Sequence, residues 1–145
     1  MTGLSPALLE QAHSAFDCVI CEADGSRGMP LKWHREGEPC VPPGTELLVQ
    51  VAGLSALGRP AENVLHRWAE AGFAGMRPIT EEDVAGLVLR GFDCCGPISR
   101  KVCLLNQADV LTEEECGGRI ARRLSVLGIP CGICVLKEEQ VRCWY

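Results

Sequence analysis

Cys18, Val19, Ile20 and Cys21 form an uncharged run that stops abruptly at Glu22. Asp24, Gly25, Ser26, Arg27 and Gly28 follow, and Pro30 bars a helix there. An apolar run of this length suits a strand buried on both faces, as in a parallel sheet. Two further runs, Leu47 to Ala52 and Lys101 to Asn106, repeat the pattern and also end in glycine or polar residues. Helical signals separate them, so the chain reads as α/β, with a mostly parallel sheet flanked by helices. Its 145 residues make one domain's worth, 1–145, large enough to bury a core. Ligands of open α/β sheets sit beyond the carboxyl ends of the strands, which places polar chemistry at Glu22 and beyond.

The remaining elements follow from local rules. Ser5 caps a helix that has Pro6 at its first position and runs to about Ser14. A strand over Phe16–Cys21 comes next, then a long loop from Met29 to Gly44. Glu62 to Ala71 reads as helix. Thr80 and Asp83 fit a capping box for a short helix carrying Val84, Leu87 and Val88 on one face, with Gly91 to Pro97 a loop after it. Thr112 and Glu115 fit a second capping box, opening a helix with Cys116, Ile120, Leu124 and Leu127 along one side. Arg119, Arg122 and Arg123 take its solvated face. Gly128 and Pro130 end it. Cys131–Leu136 and Val141–Tyr145 are the last strand candidates, and Trp144 with Tyr145 is expected to close a core edge.

A net charge of -5 argues against a general nucleic-acid binder. No apolar run reaches membrane-spanning length, and the first residues lack a basic region followed by an apolar core. The expected compartment is the cytoplasm. Ten cysteines are many for this length. Without a secretion signal they read as small buried hydrophobes rather than a disulfide framework. Two CxxC spacings occur, at Cys18–Cys21 and Cys131–Cys134. Residues three apart in a strand diverge, so no zinc site is expected at the first. Gly132 allows a turn at the second, which makes it the better candidate of the two. Cys94 and Cys95, in a Gly-flanked stretch, read as exposed and reactive.

Two motifs bear on nucleotide chemistry. Asn106-Gln107-Ala108-Asp109 resembles the N-K-x-D signature that reads guanine, with Gln107 in place of the Lys. The Asp of that signature accepts from two guanine N–H groups, which adenine does not offer. Gly53 to Pro60 imitates a phosphate-binding P-loop, but Arg59 and Pro60 replace its Lys and its Ser/Thr, and Pro60 lacks a backbone N–H. It reads as a decoy. Lys32, His34 and Arg35 would meet an anionic ligand or decorate the loop.

The runs EADGSRGMPLK, EPCVPPGTELLV, VAGLSALGRPAENVLHR, PITEEDVAGLVL and CLLNQADVLT together resemble the YqeC family, accessory proteins of selenium-dependent molybdenum hydroxylases. The similarity spans about Phe16 to Leu127. It implies a P-loop-NTPase-like nucleotide-binding fold acting in maturation of the selenium-containing molybdenum cofactor. It also implies GTP or ATP with Mg²⁺ as cofactors, and the hydroxylase or its cofactor-maturation machinery as partner. By matching positions, Glu22 and Asp24 are the catalytic and Mg²⁺-holding carboxylates. Ser26, Arg27 and Lys32 line the nucleotide or substrate cleft, and Asn106 and Asp109 face the base. Glu38, Asn63, His66 and Arg67 match the pattern with no assigned role. The family's glycine-rich P-loop and about two strand–helix units ahead of it have no counterpart here. The chain resembles the C-terminal two-thirds of such a protein, truncated at its N-terminus and without Walker A. An NTPase activity of the full-length family is therefore expected to be lacking in this chain alone. A non-catalytic module holding a partner protein or cofactor intermediate is the alternative. A homo-oligomer would cover the sheet edge left open.

Overall fold

A computed structural model describes residues 5–111 and 115–145. Helix α1 is Pro6–Ala15, capped by Ser5, whose Oγ accepts from the Leu8 N–H at 3.4 Å. Strand β1 is Leu31–Lys32 and β2 is Leu47–Gly53. A 3₁₀ turn at Leu54–Ala56 leads to the one-turn helix α2, Ala61–Val64, and to β3, Leu65–His66. Helix α3 is Glu81–Asp93, β4 is Arg100–Asn106, α4 is Glu115–Val126, β5 is Cys131–Val135 and β6 is Gln140–Trp144.

The main sheet has the order β2-β4-β5-β6. The first three strands are parallel, with Val49 opposite Val102 and Cys103 opposite Cys131. β6 returns antiparallel to β5. The α/β expectation holds, with one difference: α3 and α4 pack against each other and lie over the same face of the sheet. The core fills that side, where Phe92, Leu105, Ile120 and Leu124 are fully buried. On the opposite face Leu47, Val49 and Val51 remain 41–51% exposed.

Several expectations are corrected. Phe16–Cys21 is not a strand and pairs with nothing in either sheet; Ile20 is 93% exposed. An apolar run becomes a strand only where a neighbour satisfies its backbone, and here none lies beside it. Glu62 to Ala71 is not one helix. It stops at Val64 because Leu65 and His66 pair with Leu31 and Lys32 instead. α3 runs through Gly91, placed in a loop by the sequence, because Gly91 packs closely on the Gln50 side chain. The strand expected over Cys131–Leu136 is present as Cys131–Val135, buried throughout, so Gly132 opens no turn between Cys131 and Cys134. Cys94 and Cys95 are half-buried, and burial pushes the Cys95 thiol pKa up, away from the reactive thiolate. Trp144 is exposed on the open face rather than closing a core edge. Thr112 lies outside the described residues.

The Thr80 box is present. Thr80 Oγ1 accepts from the Asp83 N–H at 3.2 Å, and Asp83 Oδ2 accepts from the Thr80 N–H at 2.8 Å. Thr80→Ala is expected to cost about 1 kcal/mol, read as a lower urea midpoint with an unchanged slope.

Candidate functional site

The site grows from the β1–β3 ribbon. Parallel pairing of Lys32 with His66 brings two distant basic segments side by side, and the Trp33 N–H donates to the His66 carbonyl at 3.0 Å. Arg67 follows in the left-handed region at φ 67°, a costly conformation for a non-glycine residue. It turns the guanidinium onto Glu38, with Nη2 donating to Oε1 at 3.0 Å and Nη1 to Oε2. Lys32 Nζ pairs with Asp24 and lies 3.5 Å from Glu38 Oε2. His34 Nε2 stands 3.1 Å from Asp24 Oδ2, out of line for a hydrogen bond, so Asp24 Oδ2 is buried without a hydrogen-bond partner, and the other ring nitrogen, His34 Nδ1, is buried without one as well. Arg90, on α3, fixes the loop from behind: its Nε donates to the His34 carbonyl at 2.9 Å and its guanidinium stacks 4.1 Å over Trp33.

Acid and base alternate through this cluster, and the environment tunes them. Burial lowers the His34 pKa against the raising effect of Asp24, so the imidazole is neutral at pH 7. Burial and then Arg67 lower His66 likewise. The Arg67 hydrogen bonds hold Glu38 down at about 2. In each case the unfolded chain takes up a proton before the folded chain does. Stability is thus fully present above pH 6.5 and falls on acidification in two steps. The first lies below the unfolded histidine value of 6.5, the second between 4.5 and about 2 as Glu38 protonates. Glu38 is partly solvated, so its step is worth about 1 kcal/mol after screening. Thermal unfolding from pH 8 to pH 2.5 reads both steps, and Glu38→Gln is expected to reduce the lower one, to which the ion-paired carboxylates Glu70, Glu81, Asp83 and Asp109, also held below their usual range, contribute the rest.

Of the residues singled out by sequence, Asp24 and Lys32 come together. Ser26 and Arg27 do not join them by contact. Ser26 Oγ donates to the Met29 carbonyl at 2.6 Å, closing a turn in which Arg27 has φ 55°. Glu22 is exposed and enters none of the cluster's hydrogen bonds or ion pairs. Asn106 and Asp109 sit past the carboxyl end of β4 but serve the β5–β6 connection: Asn106 Oδ1 accepts from the Leu136 N–H at 2.9 Å, and Asp109 pairs with Lys137 at 2.5 Å. Gln107, at φ 64°, accepts from Ser55 Oγ at 2.6 Å. The two halves meet at Gly53, whose N–H donates to the Pro30 carbonyl at 2.9 Å.

Magnesium does not fit Glu22 and Asp24 as they stand. Mg²⁺ wants oxygen donors in octahedral array, while both Asp24 oxygens face nitrogen groups, Lys32 Nζ and His34 Nε2. Among the described residues no group of three or more His, Cys, Asp or Glu is placed to hold a metal ion. The Gly53–Pro60 segment is no phosphate cradle either. Its N–H groups are spent internally: Leu57 on Leu54, Gly58 on Ile79 and Arg59 on Ala56, at 2.9–3.1 Å. In the sequence His34 is one member of a basic stretch, and nothing local gives Glu38 or Arg67 a role. The local signal was the alternation Lys32, His34, Glu38, but their common partner Arg67 is supplied by a pairing that spacing does not reveal.

These observations define an α/β protein with an ion-paired polar site beside the carboxyl end of an edge strand. The family model described as YqeC protein matches residues 1–69, short of the range over which the motifs resemble that family. The chain is also 43% identical over 91 residues to a curated Escherichia coli (strain K12) protein named "Uncharacterized protein YqeC". That match covers 59% of this chain and 35% of the relative, so the chain spans about a third of the relative's length by that match. No solved structure matches significantly. Both matches are to YqeC proteins and support that family for the chain.

Proposed function

We propose that this chain is an accessory protein in maturation of selenium-dependent molybdenum hydroxylases, and that it holds an anionic cofactor intermediate or nucleotide rather than hydrolysing one. One observation carries the reading. Asp24, Lys32, His34, Glu38 and Arg67 all fall within residues 1–69, the part matched to the family, and they form one cluster. Its cations are the anion-binding groups. Lys32 offers a compact ammonium and Arg67 a planar fork suited to phosphate or carboxylate. Each is held ready by an acidic neighbour that a stronger anion would displace. His34 Nδ1, buried and unpartnered, supplies a further polar contact. Hydrolysis finds less support, since the carboxylate meant to organise Mg²⁺ is already engaged by Lys32. The partner would be the hydroxylase or its cofactor-maturation machinery, in the cytoplasm.

The test replaces the chromosomal copy in cells that make such a hydroxylase. Arg67→Ala is expected to lower hydroxylase activity and its selenium content at least tenfold with the chain still folded. Full hydroxylase activity in that strain, or in one lacking the gene, would overturn the reading. Titrating the purified chain with GTP and ATP, with and without Mg²⁺, separates nucleotide from cofactor intermediate. Phosphate release at a catalytic rate would sink the non-hydrolytic part.

A further inference from the structure

The described part of the chain carries two incomplete elements that fit one another. β2 is an edge strand with β4 as its sole neighbour. Its sequence, LLVQVAG, contains no charge and no proline, the residues by which exposed edges are usually protected. Along its outer edge only the Gly53 N–H is engaged, by Pro30. Leu47, Val49 and Val51 stand exposed beside that edge, on the face that no helix covers. The far edge differs, because β6 carries Arg142.

The second element is Phe16–Cys21. It has the composition of a buried strand, yet Phe16 is 67% and Ile20 93% exposed. It bends at Asp17 and has no partner strand in either sheet. Its far end is tied at Asp24 to Lys32 over the β1–β3 ribbon, and in that arrangement it does not reach its own β2. Apart from Asp17 at its start the segment carries no charge, so an apolar run without an edge and an uncharged edge without a strand, on one molecule, are self-complementary.

We propose that a second copy of this chain covers the edge: the Phe16–Cys21 segment of each copy adds as a strand to β2 of the other. Such reciprocal exchange closes as a two-fold dimer and buries in each copy both Ile20 and the exposed side of Val49 and Val51. The pairing supplies the backbone partners that each element lacks.

The experiment is light scattering on the purified chain, with circular dichroism to confirm folding of every variant. The wild-type chain is expected to be a dimer at tens of micromolar. Val49→Lys, which spoils the edge, and Ile20→Lys, which spoils the strand, should each give folded monomers. Mixing those two variants should restore dimers, because one intact strand then meets one intact edge. A wild-type monomer at hundreds of micromolar would overturn the proposal, whether the segment folds onto its own edge or another chain fills it. Dimers that survive both substitutions, or a mixture that stays monomeric, would overturn it as well.

Discussion

Lys32→Ala is expected to destabilise the protein by about 3 kcal/mol, the larger of the effects foreseen at the candidate site. The Lys32 side chain is 8% exposed, and its ammonium stands between Asp24 and Glu38. Removing it leaves two carboxylates facing each other with Arg67 alone to balance them. Asp24 suffers most, because it keeps only the Gly25 N–H on Oδ1, at 2.8 Å, and His34, neutral at pH 7, is out of line for a hydrogen bond to Oδ2. Adding Asp24→Asn to Lys32→Ala should recover more than half of the loss, since the uncompensated charge goes with it. Urea unfolding of the two single variants, the double variant and the parent closes the cycle. A coupling below about 0.5 kcal/mol would mean that the pair is solvated and that the cluster does not act as one unit.

Gly53→Val is the second large effect, again about 3 kcal/mol, and it should strike the site as well as the sheet. A Cβ at Gly53 would lie 2.3 Å from Gln107 Oε1, 2.5 Å from Pro30 Cβ and 3.1 Å from Pro30 Cα. The Gln107 side chain can swing away, at the expense of its bond from Ser55. Pro30 cannot, because its ring is rigid and its carbonyl is bound by Gly53 itself. The strain must move the segment that leads directly into Leu31 and Lys32. The variant should therefore unfold earlier and also lose the part of the lower acid step that Glu38 contributes. Gly86→Ala is the control. A Cβ there meets nothing within 4 Å, on an exposed position of α3, and the change should stabilise by roughly 0.5–1 kcal/mol. If Gly53→Val matched the parent in urea, the close approach of Pro30 to β2 would be wrong.

The two glycines also show what could be read in advance. Gly86 lies in a helix whose capping box, Thr80 with Asp83, is written in four consecutive residues. The need for glycine at position 53 comes from Pro30 and Gln107, which are distant in the chain. The polar site divides in the same way. Asp24 and Lys32 were legible because one short motif holds both. Glu38 and Arg67 were placed by family pattern alone, and their ion pair depends on the β1–β3 pairing of Leu31 with Leu65. Asn106 and Asp109 fell at a strand end as expected. Their side chains are taken by Leu136 and Lys137, from a connection that no local signal ties to them.

By itself the sequence determined the α/β alternation, the strands over Leu47–Ala52 and Lys101–Asn106, each one residue short of its observed length, the capped helix α3 and the apolar face of α4. Each is dictated by contacts within a few residues or by the period of burial. The tertiary structure alone decided which apolar run became a strand. Cys18–Cys21 and Leu47–Ala52 are similar in composition, yet only the second lies beside β4, which satisfies its backbone. It also decided that both long helices share one face of the sheet and leave Val49 and Val51 open on the other. A strand needs a neighbour to exchange hydrogen bonds with, and local sequence does not say whether one is there.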